Sequence, residues 1–109
     1  MSLTPIEKEE ALEALLRTDV AVLEFGNVYR CPPCRVLQPI LEELAAEYEG
    51  SASFGQVDAD EYPDLAARFQ VMGLPTVIVF KDGVPTDKLV GLRPKEAYCV
   101  VIDRSLSAS

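Results

Sequence analysis

Apolar and polar positions alternate along this chain in ways that predict its elements one after another. Thr4-Pro5-Ile6-Glu7 has the signs of a helix start: a capping hydroxyl, proline at the first helical position and glutamate three residues after the cap. Leu12, Leu15 and Leu16 recur at three- and four-residue spacing, which predicts an amphipathic helix to about Arg17. Val20 to Phe25 is apolar on both alternating faces except at Glu24, the pattern of a strand covered on both sides. After a loop over 26–30, a helix is predicted from Pro32 or Pro33 to about Glu49. Its apolar face is Leu37, Ile40, Leu41, Leu44 and Tyr48. Pro39 lies inside it and removes one backbone donor.

Ser53 to Asp58 predicts a second strand, and Tyr62-Pro63-Asp64 opens a short helix ending near Phe69. Thr76 to Phe80 carries the strongest strand signal, and Asp82-Gly83 predicts a hairpin turn into a strand over Asp87 to Val90. Pro94 opens a last helix through about Leu106. This order predicts one α/β domain over residues 1–109, with parallel pairing of the early strands and an antiparallel hairpin at one edge.

Composition narrows the chemistry. The chain has 109 residues, 10 basic against 18 acidic, for a net charge of -8, with three cysteines and no histidine. The acidic surplus disfavours nonspecific binding to nucleic acid or anionic lipid. Without histidine there is no Ser-His-Asp or Cys-His pair and no His-ligated metal. No basic and apolar leader is visible at the N-terminus, and no apolar run is long enough to span a membrane. A cytoplasmic monomer is expected, with no nucleic-acid or membrane partner.

Cys31-Pro32-Pro33-Cys34 falls where a post-strand loop enters a helix. Two intervening residues put both thiols on one side of the helix start, so they can close a small disulfide. Unpaired amides and the helix dipole favour a thiolate at Cys31, and Arg30 and Arg35 act in the same direction. A bare Cys-x-x-Cys also fits half of a metal site or two unremarkable thiols. Cys99 is remote and no histidine is present, which weighs against zinc, and no metal site is expected. Neither intervening proline has an N–H, so the Cys31 thiolate must rely on the Cys34 and Arg35 amides, and regular helix is expected from Pro33. Replacing Pro32 by glycine is therefore expected to shift the Cys31 thiolate titration to lower pH. An unchanged titration overturns that reading.

Set together, these segments resemble the thioredoxin family over about Val20 to Leu106. The resemblance is carried by Val22-Leu23-Glu24-Phe25, Cys31-Pro32-Pro33-Cys34-Arg35, Pro39-Ile40-Leu41 and Val57-Asp58-Ala59-Asp60. It continues through Gly73-Leu74-Pro75-Thr76, Phe80-Lys81-Asp82-Gly83 and Val90-Gly91. The Cys-Pro-Pro-Cys string itself is similar to that of tryparedoxin and nucleoredoxin. The resemblance implies a thioredoxin fold, a central mixed sheet with helices on both faces. It implies a thiol–disulfide oxidoreductase whose only redox group is the Cys31–Cys34 pair, with no cofactor. Protein disulfides would be its substrates and a thioredoxin reductase its partner. Cys31 would attack and Cys34 resolve, and Pro75 would be a cis-proline opposite the cysteines. Leu74 would pair its backbone with substrate, and Arg30, Pro32, Pro33, Gly91 and Leu92 would complete the substrate face.

Glu24 stands where the family has a buried aspartate, and Gln56 where it often has a lysine. A desolvated Glu24 would be a general base for Cys34, with its pKa raised further by the missing cation. The alternative is a strand-end carboxylate reaching solvent. The family's aromatic stretch before the first cysteine is replaced by the one-residue-longer Gly26-Asn27-Val28-Tyr29-Arg30, and the chain has no tryptophan. Tyr29 and Val28 either rebuild the apolar wall beside Cys31 or leave it partly missing. Cys99, in an apolar stretch of the last helix, is expected to be a buried inert thiol. Competing functions are a non-catalytic thioredoxin-fold interaction or chaperone module, and a dimer bridging an iron–sulfur cluster through two cysteine pairs.

Overall fold

The computed structural model describes residues 3–108. Its elements run β1 (Leu3–Pro5), α1 (Glu9–Leu16), β2 (Val20–Gly26), α2 (Pro32–Glu47), β3 (Ser53–Asp58), α3 (Pro63–Arg68), β4 (Thr76–Lys81), β5 (Val84–Val90) and α4 (Lys95–Ser107). The strands form one sheet in the order β1-β3-β2-β4-β5. β3 is parallel to both β1 and β2, whereas β4 is antiparallel to β2 and β5. This is the mixed sheet expected.

Alternation along β2 divides the core into two layers. Val20 and Val22 face one way, packing with Leu37, Leu41 and Leu44 of α2 and with Tyr98 and Ile102 of α4. Ala21, Leu23 and Phe25 face the other way, against Leu12 and Leu15 of α1 and Phe69 beyond α3. The period of two that the sequence shows is therefore the physical divider between the helix layers. It also assigns Glu24, in step with Val20 and Val22, to the face that carries α2.

The N-terminal prediction is corrected. Thr4 does not cap a helix; Leu3–Pro5 is an edge strand in register with Phe54, Gly55 and Gln56. Ile6 continues the pairing through its N–H to the Gln56 carbonyl, 2.8 Å away. Helix α1 starts only at Glu9, with Lys8 at its N-cap and no side-chain cap. Docking at the sheet edge buries Leu3 and Ile6, which a helix starting at Pro5 would have drawn away from β3. Pro5 is tolerated there because an edge strand has a side without ladder partners.

The other boundaries move by a residue or a few. β5 begins at Val84 rather than Asp87, because Asp82 and Gly83 alone make the turn, with φ of 52° and 79°. Two positive φ values at the central positions are what a two-residue hairpin of type I′ needs. α2 starts at Pro32, the earlier of the two expected positions, with Cys31 as N-cap, and it continues through Pro39. Proline costs little in a first helical turn, where the missing N–H had no intrahelical partner.

Candidate active site

Four chain segments meet at one end of the sheet. β2 ends at Gly26 and passes into the loop that leads to Cys31. Beside it, β3 ends at Asp58 in register with Gly26. On the other side Phe25 pairs with Thr76, so the segment Leu74–Pro75 enters β4 at the same level. Thr76 in turn pairs with Val90, which puts Gly91 and Leu92 on that edge too. Register alone thus brings Cys31, Cys34, Glu24, Leu74, Pro75, Gly91 and Leu92 into one neighbourhood.

Cys31 and Cys34 are joined by a disulfide, with Cα atoms 5.2 Å apart. Both are buried, Cys31 keeping 7% of its surface and Cys34 only 2%, so Cys31 is the more accessible of the two residues. The Cys34 N–H points at Cys31 Sγ over 3.3 Å. The Arg35 N–H goes instead to the Cys31 carbonyl at 3.2 Å, so of the two amides expected to serve the sulfur only one does. Pro32 and Pro33 are exposed on the same turn.

Glu24 lies beneath Cys34, not at the surface. Its exposure is 2%, which removes the reading of a carboxylate reaching solvent. Gln56, its register partner on β3, donates from Nε2 to Oε1 over 3.1 Å. Burial pushes the Glu24 pKa up to about 7; the Gln56 hydrogen bond opposes that rise and the Asp58 charge adds to it. Gln38 of α2 also exchanges hydrogen bonds with Gln56, fixing the amide that faces Glu24. A glutamine at 56 supplies a dipole but no charge, so desolvation wins.

Gly26 explains how a glutamate fits here. A Cβ at this position would fall well inside contact with Glu24 Oε2 and only 3.1 Å from Cys34 Sγ. The carboxylate and the sulfur therefore crowd the same small volume. Any larger residue would have to displace one of them.

The active-site loop is held by side chains that sequence reasoning passed over. Asn27 Oδ1 accepts from the N–H groups of Tyr29 (2.9 Å) and Arg30 (3.0 Å). Its Nδ2 donates to Asp58 Oδ1 at 3.1 Å, and its carbonyl accepts the Cys31 N–H at 3.0 Å. The known preference of asparagine for bonding amides two and three residues ahead was the available signal. Asn27→Ala is expected to cost about 1–2 kcal/mol of stability, measured by urea unfolding, because these donors lose their acceptor.

Arg30 makes a bidentate ion pair with Asp60, so its charge is balanced by a neighbouring carboxylate. That corrects its expected place as a free cation beside Cys31. Arg35 donates to the Val28 carbonyl at 3.0 Å, and Arg93 to the Val90 carbonyl at 3.2 Å. Tyr29 is 86% exposed and rebuilds no wall beside the cysteines. A cavity of about 670 Å³ lies under the loop, bordered by Gly26, Val28 and Tyr29.

Across the disulfide from these groups, the Leu74–Pro75 peptide is cis, Pro75 is buried and its carbonyl accepts the Gly91 N–H at 2.8 Å. Leu74 is half-buried against the α3 side of the core. Gly91 has φ of 84°, a left-handed conformation suited to glycine, and Leu92 is exposed. Cys99 is a free thiol and half-buried rather than fully buried, packed against the α2–α4 core.

A dithiol able to close into a disulfide at a helix N-terminus, with a buried carboxyl beneath it on a mixed sheet, defines a thiol–disulfide oxidoreductase. Comparison with known proteins gives the family. The profile described as thioredoxin matches residues 3–104. A thioredoxin of Staphylococcus aureus is 46% identical over 94 residues, spanning 86% of this chain and 89% of that protein. Among solved structures, a mutant thioredoxin from Halobacterium salinarum superposes with a TM-score of 0.89 at 28% identity, covering 98% of this chain and 93% of that one. The oxidised form of mitochondrial thioredoxin 3 from Saccharomyces cerevisiae superposes with a TM-score of 0.84 at 30% identity, covering 94% and 95%. The chain belongs to the thioredoxin family, has its fold and is a thiol–disulfide oxidoreductase.

Proposed function

We propose that the chain, acting as a single domain, reduces disulfides of protein substrates through Cys31 as nucleophile and Cys34 as resolving thiol, with Glu24 as the base. In the first step the Cys31 thiolate attacks one substrate sulfur. The substrate S–S bond breaks, a mixed disulfide forms, and the leaving thiolate takes a proton. In the second, Cys34 gives its proton to Glu24 and attacks Cys31 Sγ. The mixed disulfide breaks, the second substrate sulfur leaves as a thiolate and takes up the proton that Glu24 releases, and the Cys31–Cys34 disulfide remains. Two electrons thus pass from the dithiol to the substrate. A thioredoxin reductase returns them, so the pair needs no other cofactor.

The observation that carries this reading is the burial of Glu24 under Cys34, with a pKa near 7. A group that changes protonation close to neutral pH can both accept and return the proton of a thiol. The greater accessibility of Cys31 supports its role as the attacking sulfur. Leu74, beside the cis-proline and level with the disulfide in the sheet, offers its backbone for pairing with an extended substrate. Pro32, Pro33 and Leu92 are exposed around it and Gly91 is half-buried, which supports their place on the substrate face; Arg30 contributes there only as the partner of Asp60. Among the described residues no helix is long and apolar enough to cross a membrane. We take the protein to work as a cytoplasmic monomer.

Dithiothreitol-driven reduction of insulin tests the proposal. The native chain is expected to accelerate precipitation of the insulin B chain, and Cys31→Ser to fall to the uncatalysed rate. A native chain without activity would instead make this an interaction module.

A further inference from the structure

At the end of the sheet, between the 26–30 loop, α2 and the end of β3, the cavity of about 670 Å³ reaches in to Glu24 and Gly26. Its size is within the range of small-molecule sites, roughly 300–1,000 Å³. Its walls are of two kinds. Ile6, Val28, Pro39 and Tyr62 supply apolar surface, while the polar lining includes the carboxylates of Glu7, Glu24, Asp58 and Glu61. The one cationic lining residue among the described residues, Arg35, is committed to loop carbonyls.

Glu24 differs from the other three carboxylates. It is buried, its Oε1 is taken by Gln56, and Oε2 has no hydrogen-bond partner among the described residues. Oε2 lies where the side chain of residue 26 would begin, so the glycine is what leaves room for that oxygen beside the cavity, close to Cys34 Sγ. A carboxylate oxygen with a free lone pair on a cavity wall takes a donor, and a charged donor answers it best. With only one oxygen free, a compact ammonium fits better than the forked guanidinium, which is suited to both oxygens together.

From this arrangement we propose that the cavity is a binding site for a small amphipathic amine. Its ammonium group sits on Glu24 Oε2, and its short aromatic or aliphatic body packs against Ile6, Val28, Pro39 and Tyr62. The site is distinct from the Leu74–Leu92 substrate face, since none of those residues lines the cavity, which lies under the 26–30 loop. The groups that face Glu24 are Gln56 and Asp58 from β3, Cys34 from α2, and Tyr98 from α4, whose phenol also senses the Glu24 charge. An occupant therefore sits where it controls access of water to Glu24.

Benzylamine is the probe. It is titrated into the oxidised full chain near pH 8, with binding followed by calorimetry and by amide chemical shifts. No turnover enters the measurement, so its result is separate from the fate of the redox reading. Saturable binding is expected, with shifts at Gly26, Asn27, Val28 and Gln56. Benzyl alcohol, the same size without charge, is expected to bind at least about tenfold more weakly, or 1.4 kcal/mol. Glu24→Gln, close in volume, is expected to lose a similar factor, and Val28→Trp, which fills the space and leaves Glu24 in place, to lose binding altogether. Absence of saturable binding, equal affinity for amine and alcohol, unchanged affinity in either variant, or shifts confined to Leu74 and Leu92 would each overturn the proposal.

Discussion

Replacing Glu24 by glutamine is expected to stabilise the protein by about 3 kcal/mol at pH 8 while slowing disulfide exchange. The stability effect follows from proton linkage. The folded carboxyl holds its proton up to about pH 7, against 4.5 for an ordinary glutamate, so between these values the native state binds more protons than the unfolded state. Stability from this group therefore falls as pH rises through the window from 4.5 to 7, and stays low above it. A pKa difference of that size corresponds to about 3 kcal/mol once the group is ionised in both states. Other carboxylates shift the native chain and the variant alike. The difference in urea midpoints between the two isolates Glu24: near zero around pH 4, growing to its full value by pH 8.

The kinetic part of the same substitution has the opposite sign. Glutamine keeps the shape at position 24 but cannot take a proton from Cys34. The resolving step is expected to slow at least about tenfold at neutral pH, and its rate to lose the inflection near pH 7. A variant that gained stability yet kept the native rate and pH profile would show a buried acid that takes no part in turnover. Instability and activity would then have separate origins.

The second large effect is expected from Cys34→Ser. With the resolving thiol removed, attack by Cys31 still forms the mixed disulfide, but nothing within the protein cleaves it. Turnover should fall to background, and a covalent adduct with a protein substrate should accumulate, visible on a non-reducing gel and dissolved by dithiothreitol. Cys31→Ser should yield none. The asymmetry rests on accessibility, since Cys34 lies deeper than Cys31 and directly over Glu24. An adduct that formed through Cys34 in the Cys31→Ser chain would reverse the two roles. Cys99, packed against the α2–α4 core, serves as control: Cys99→Ala should change neither result.

Local signals carried much of the fold. The alternation of Val20 to Phe25, the Asp-Gly turn and the spacing of Leu37, Leu41 and Leu44 each depend on contacts that repeat at a fixed period, and each is realised in the structure. The failure at Thr4-Pro5 has a physical cause. A capping hydroxyl, a proline and a glutamate do favour a helix start, by about 1 kcal/mol at a cap. Burial of Leu3 and Ile6 and pairing with β3 outweigh that, and they involve residues some fifty positions away. No window around Thr4 contains that information.

The candidate site divides along the same line. Residue type and spacing alone determined that two thiols share one side of a helix start and that a carboxylate interrupts an apolar strand. The composition removed histidine from the chemistry. Only the tertiary structure decided what surrounds those groups. It buried Glu24 rather than exposing it, turned Arg30 onto Asp60, sent Tyr29 outward, and left a cavity over Gly26. The reason is that burial, ion pairing and empty volume belong to residues brought together by strand register, at separations such as those of Glu24 from Gln56 and Arg30 from Asp60. Periodicity is written in neighbouring residues; electrostatics and voids are settled by distant ones.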